Sequence, residues 1–150
     1  MTARAYRKIL VAVDGSAASN KGLREALRLA KAERAKLCLL HVLDEFYAFA
    51  GYDGLGPMQD LIPSFREGGE RILAKAKAVA AKSRVPTQTV MREVIGGPAA
   101  GPIVREAKKQ RADLIVLGTH GRRGVRRLVL GSDAEQVVRT ASVPVLLVRG

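Results

Sequence analysis

The stretch ADLIVLGTHGRRGVRRLVLGS, residues 112–132, decides how the chain is read. Its apolar run LIVL reads as a buried strand. The fifteen residues that follow, 118–132, hold four glycines, four arginines and no acid. So much backbone freedom and positive charge at a strand's carboxyl end admits three readings: a phosphate cradle, a nucleic-acid patch, or a solvated turn. What surrounds the stretch has to choose among them.

Upstream, residues 8–13 (KILVAV) form an apolar, β-prone run that ends in the turn signal Asp14-Gly15-Ser16. Leu23, Ala26, Leu27 and Ala30 then recur at helical spacing. Residues 36–43 (KLCLLHVL) are a second near-continuous apolar run. Strands apolar on both faces are what a parallel sheet covered by helices requires. Residues 44–64 collect four of the six aromatics, Phe46, Tyr47, Phe49 and Tyr52, among glycines and prolines. That composition predicts a long loop leading into a helix from near Ser64, weakened by Gly68-Gly69. A third strand is expected over 87–95, nearer the sheet edge, and Gly96-Gly97-Pro98 breaks it before a third helix. The fourth strand is 113–117. Ser132 and Glu135 have the spacing of a capping box, which would start a helix at Asp133. Residues 143–149 close the series as a fifth strand. Strict alternation of strand and helix predicts a doubly wound α/β fold: a five-stranded parallel sheet with helices on both faces and right-handed crossovers. A length of 150 residues fits one domain over 1–150.

Composition narrows the function classes. One cysteine excludes an intramolecular disulfide and any Cys-based zinc site, which suits the cytoplasm. No run approaches the roughly 18 apolar residues of a membrane span. The basic N-terminus lacks a small-residue cleavage site and reads as the approach to a strand, not as a leader. A net charge of +12 favours anionic partners, whether nucleotides, nucleic acid or anionic surfaces, without choosing one.

In such a sheet ligands bind beyond the strands' carboxyl ends, where the strand order reverses. If the first and fourth strands are neighbours, the Asp14 turn and the glycine-rich segment line one crevice. Glycine lets backbone N–H groups approach an anion, successive N–H groups form a nest, and a helix beginning at Ser132 adds its positive end. The spacing is neither the P-loop nor G-x-G-x-x-G. Phosphate binding is favoured over a plain glycine-rich turn, and Asp14 also has the duller role of turn former. His120 could touch a phosphate, but facing solvent is the favoured reading. Cys38 and His41, three apart on a strand, point to opposite faces and form no nucleophile–base pair. No Ser-His-Asp set or catalytic carboxylate pair is visible, so an enzyme is not expected. The aromatic 44–64 segment fits a lid, a partner surface or an interface.

The spacing Gly118-x2-Gly121-x9-Gly131-Ser132 resembles the ATP-binding signature of the universal stress protein family. KILVAVDGS at the start, LLHV at 39–42, ADLIVLGTHGRRG at 112–124 and SVPVLLV at 142–148 carry the resemblance along the chain, most weakly over 44–85. The resemblance implies a Rossmann-like sheet of order 3-2-1-4-5. It implies ATP with Mg2+ or Mn2+ as cofactor. Asp14 would contact the ribose or the phosphate-bound metal, the backbone of Val42 would read the adenine edge, and Ala12 would line the same pocket. Gly118, Gly121, Gly131 and Ser132 would hold the phosphates. It further implies a homodimer through residues 143–148 and a stress-response switch with an unnamed protein partner and at most slow ATP hydrolysis. The departure from the family is the arginine load. Arg122 is counted with the phosphate ligands, whereas Arg123 and Arg126 serve equally as solvated charge. The alternatives are another nucleotide such as cyclic AMP in the same pocket, a pyrophosphatase-like enzyme, or a basic nucleic-acid module, the last disfavoured for want of a motif.

Overall fold

A computed structural model of the chain describes residues 3–45, 61–119 and 130–150. The described elements are β1 (Lys8–Ala12), α1 (Ala17–Glu33), β2 (Lys36–Asp44), α2 (Leu61–Lys82), β3 (Thr87–Val94), α3 (Ala100–Gln110), β4 (Leu114–Gly118), α4 (Ser132–Thr140) and β5 (Val145–Val148). The five strands are all parallel and lie in the order β3-β2-β1-β4-β5, as expected. Ile9 stands opposite Leu37 on one side and Leu114 on the other, so β1 is the central strand.

Side chains alternate across the sheet and build two cores. Ile9, Val11, Leu37, Leu39, Leu114 and Val116 face α1 and α2, where Leu23, Leu27 and Leu73 meet them. Leu10, Cys38, Leu40, Ile115 and Leu117 face α3 and α4, represented by Ile103, Ala107 and Val137. Each fully buried large aliphatic side chain contributes about 1.5–3 kcal/mol. The central strands are apolar in both directions because both directions are covered. Cys38 and His41 do lie on opposite faces. The Cys38 thiol packs in the second core, and burial pushes its pKa up. His41 is buried on the α2 side, its Nδ1–H donating to the Val13 carbonyl at 2.7 Å.

Strand ends fall within two residues of those expected, and three differences bear on how the elements pack. Among the described residues α2 already runs from Leu61, three residues before Ser64, and includes Pro63. The Gly68-Gly69 pair does not interrupt it. A Cβ at Gly69 would sit 2.8 Å from Met91 Sδ and 2.9 Å from His41 Cδ2, so this glycine lets the helix close on the sheet. Strand β3 stops at Val94 and lies at the sheet edge. The aromatics 46, 47, 49 and 52 lie outside the described residues.

The third difference concerns α4. Its N-cap is Gly131, not Ser132, and the capping box is not made. Gly131 N–H donates to the Thr119 carbonyl at 2.8 Å, and the Gly131 carbonyl accepts from Glu135 N–H at 2.9 Å. That clamp starts the helix one residue early. Ser132 is then the first helical residue and exposed, while Glu135 pairs forward with Arg139 at 2.7 Å.

At the opposite end of the strands the helix-to-strand turns share one device. Arg34, Arg84 and Arg111, after α1, α2 and α3, all adopt the left-handed conformation, with φ of 56°, 56° and 53°. Asp113 ties the chain's entry to β4: its Oδ2 accepts from Arg7 N–H at 2.8 Å and its Oδ1 from Lys8 N–H at 3.1 Å.

Candidate functional site

Because β1 and β4 are neighbours, their carboxyl ends open a crevice at the switch point. After β1 the chain turns into α1 on one face. After β4 it leads to α4 on the other. The Asp14 turn and the Gly118–Thr119 end of β4 are thereby brought together.

The Asp14 turn is held by a chain of short polar links. Gly15 takes φ of 82°, a conformation that favours glycine. Asp14 Oδ1 accepts from Ser16 N–H at 2.8 Å, so the carboxylate does form the turn. Ser16 caps α1, its Oγ accepting from Ser19 N–H at 3.2 Å. Buried Ser19 returns the connection: its Oγ accepts from Asp14 N–H at 3.0 Å and donates to the Ala12 carbonyl at 3.5 Å. Sequence pattern did not single out Ser19, because a serine in the first turn of a helix carries no signal of burial.

Gly118 sits where α1 crosses β4. A Cβ there would lie 2.7 Å from the Ala18 carbonyl carbon and 2.8 Å from Ser19 N. The helix itself demands glycine at 118, before any ligand is considered. Gly22, one turn along α1, completes the close approach: a Cβ on it would stand 3.5 Å from Gly118 N. Thr119, buried, continues the strand by donating its N–H to the Val148 carbonyl at 2.9 Å. Its own carbonyl closes on Gly131, so the two ends of segment 120–129 are held together across one hydrogen bond. Gly121 and Arg122 fall in that segment and lie outside the described residues, as do His120, Arg123, Arg126 and Arg127.

Ala12 and Val42 are half-buried and pack against the α3–α4 core, on the same sheet face as Leu40. They form a patch of apolar wall beside the crevice. Gly131 and Ser132 open α4, and no side chain of the N-cap residue bonds its first amides. Asp133, in the first turn, instead uses Oδ1 to accept Ala99 N–H at 2.9 Å, which fastens α4 to the start of α3. The structure therefore brings together Ala12, Asp14, Val42, Gly118, Gly131 and Ser132 around one end of the sheet. Among the described residues no group of three or more His, Cys, Asp or Glu side chains is arranged to hold a metal. A metal here would depend on Asp14 together with a ligand's own oxygens.

Beyond Val42, across to β3, lies a polar cluster the sequence did not announce. Glu106 on α3 is buried and accepts from Arg92 Nε at 2.8 Å and Nη2 at 3.2 Å, and from Gln110 Nε2 at 2.8 Å. Burial pushes the Glu106 carboxyl up. The hydrogen bonds from Gln110 and Arg92 and the neighbouring positive charge outweigh it and hold the group below its ordinary value.

Among the described residues no helix is long and apolar enough to cross a membrane. The model of the universal stress protein family matches residues 5–149. A universal stress protein of Methanocaldococcus jannaschii is 37% identical over 144 residues, covering 96% of this chain and 82% of the relative. A crystal structure of a universal stress protein family member from Burkholderia pseudomallei is 34% identical, with a TM-score of 0.77 over 98% of each chain. A universal stress protein solved in complex with cAMP is 28% identical, with a TM-score of 0.64 over 96% of this chain and 97% of that one. The 3-2-1-4-5 sheet, the paired turns at its switch point and a match over nearly the whole length agree, and the chain belongs to the universal stress protein family.

Proposed function

We propose that this protein binds ATP in the crevice between β1 and β4 and acts in the cytoplasm as a nucleotide-dependent regulator of a stress response. The observation that carries the reading is the convergence of the Asp14 turn with the start of α4, whose N-cap Gly131 makes no side-chain cap bond. Backbone amides and a helix dipole at α4 suit phosphate oxygens. The half-buried Ala12–Val42 wall suits a purine, and Asp14 suits the ribose or a Mg2+ (or Mn2+) ion carried on the phosphates. Arg122 and Gly121 extend the phosphate donors in this reading. A relative solved in complex with cAMP supports a nucleotide as the ligand. ATP is preferred to cAMP because a triphosphate uses the charge of residues 118–132, which a single cyclic phosphate leaves largely unmatched. The role is that of a signal reader: binding changes the surface offered to a protein partner, and hydrolysis is at most slow.

Calorimetry with ATP–Mg2+ and with cAMP tests this, together with mass spectrometry of gently purified protein for retained nucleotide. Gly131 has φ of −56° and ψ of 146°, a backbone any residue adopts, so Gly131→Val adds bulk at the phosphate position without strain. That variant is expected to lose ATP at least about 10-fold, or 1.4 kcal/mol. Absence of heat at millimolar ligand with protein that emerges empty refutes the reading, and preference for cAMP replaces ATP in it.

The same reading includes a homodimer. Strand β5 is four residues long, half-buried and at the sheet edge, with Val145, Leu146, Leu147 and Val148 in sequence. An apolar edge of this kind is a liability unless a partner covers it. Light scattering on the eluting protein is expected to give twice the chain mass, and a monomer at micromolar concentration rules the pairing out.

A further inference from the structure

The end of the sheet away from the crevice carries its own charge pattern. Strands β3, β2, β1 and β4 are entered, in their order across the sheet, just after Arg84, Arg34, Arg7 and Arg111. All four side chains are exposed. At about 4.8 Å between neighbouring strands, such a row spans roughly 14 Å. Arg34 and Arg84, with Lys31 and Lys82, also line a cavity of about 530 Å3 between the ends of α1 and α2, floored by alanine, valine and proline.

Helix dipoles account for part of this charge, since Lys31 and Lys82 lie in the last turns of α1 and α2. Arg34 and Arg111 are C-cap residues and Arg84 follows α2 by two residues, so the dipoles favour a cation there as well. All three nevertheless take the left-handed conformation, where glycine or asparagine is the relaxed choice. The same long cation is placed there three times. The nearby acids are engaged with backbone: Asp113 binds the Arg7 and Lys8 amides, and Glu33 Oε2 accepts Ala5 N–H at 2.7 Å. Among the described residues none of Lys31, Arg34, Lys82, Arg84 and Arg111 is in an ion pair.

We propose that this end of the molecule docks the phosphate backbone of duplex nucleic acid, independently of base sequence and of the nucleotide crevice. The row is longer than a single phosphate requires, which favours a repeating polyanion. Among the described residues Tyr6 is the one aromatic at this end, and it is half-buried against the core, so those residues offer no platform on which unpaired bases would stack. An anionic bilayer calls for apolar side chains beside the charge. The exposed large apolar residues among those described, Val79, Ile95 and Val138, are not part of the cavity lining. Strand β1, five residues long, separates the two ends by roughly 16 Å at about 3.3 Å per residue. That exceeds the screening length of about 8 Å at physiological salt, so a nucleotide in the crevice does not neutralise the row.

Fluorescence anisotropy with a labelled duplex of arbitrary sequence tests the proposal, with ATP–Mg2+ present and absent. The full chain is expected to bind at about micromolar Kd in about 50 mM salt, weakening steeply as salt rises. Combined Arg34→Gly, Arg84→Gly and Arg111→Gly substitutions suit the left-handed turns and keep the fold. They are expected to weaken binding about 100-fold and to flatten the log–log salt slope by about 3. Lys31→Gln with Lys82→Gln, which leaves the turns untouched, should weaken it about 30-fold. Sequence-scrambled duplexes and added ATP–Mg2+ should change nothing. The proposal is overturned if the unaltered protein fails to bind duplex at low salt, or if both variants bind as it does. It is equally overturned if the loss follows Arg123→Ala with Arg126→Ala instead, or if phosphatidylserine vesicles are bound and duplex is not.

Discussion

Gly118→Ala is expected to destabilise the protein by about 3 kcal/mol, at the upper end of what overpacking a well-packed contact does. The added methyl would press on backbone: the Ala18 carbonyl carbon at 2.7 Å and Ser19 N at 2.8 Å. Those atoms have little room to withdraw. Ser19 is fixed by its bonds to Asp14 and Ser16, and the first turn of α1 is capped by Ser16. Relief therefore requires lifting α1 off β4, which drags the Asp14 turn with it. For a chain of this size such a loss lowers Tm by roughly 6–12 °C. Gly22→Ala is the control, since its methyl would stand 3.5 Å from Gly118 N in ordinary contact and gain helix propensity of about 1 kcal/mol. Thermal and urea denaturation read both variants. Equal stability of Gly118→Ala and the unaltered chain would show that the helix–strand approach tolerates a side chain.

Removal of the Glu106 carboxylate is the second large effect. Glu106→Ala is expected to lose about 2–3 kcal/mol, because Arg92 and the Gln110 amide are left facing a buried gap. The figure stays below that of a fully buried pair because Arg92 is 40% exposed and regains water. The carboxyl is held below its ordinary value in the folded state. Its stabilisation is therefore present above the unfolded value, near 4.3, and is lost as pH falls through the folded value. The stability gap between the unaltered protein and Glu106→Gln should be widest near neutrality and shrink below about pH 4. Urea denaturation at two pH values checks the sign, and a gap that widens on acidification contradicts the ion-paired assignment.

Local pattern was enough for the strands and their covering helices, because apolar runs such as KILVAV and DLIVL have few other uses. The two turns at the switch point were legible too, since Asp-Gly-Ser and a glycine cluster each follow a strand. What sequence did not reveal depends on contacts between distant elements. Ser132 and Glu135 have capping-box spacing, yet the Thr119–Gly131 bond overrides it from thirteen residues upstream of Ser132. Gly118 looked like a ligand residue, and its packing against Ala18 appears only once α1 is folded over β4. Glu106 and Arg92 are ordinary surface charges until β3 and α3 meet. Lys31, Arg34, Lys82 and Arg84 are likewise scattered in the chain and assembled by the sheet.

The single hydrogen bond from Gly131 to Thr119 has a consequence for change over time. The end of β4 and the start of α4 are thereby fixed to one another whatever lies between them. Doubling the length of a connection closed in this way adds only about 0.6 kcal/mol of closure entropy. Insertions or deletions between Thr119 and Leu130, which itself packs on the second core, thus leave the sheet and its covering helices as they were.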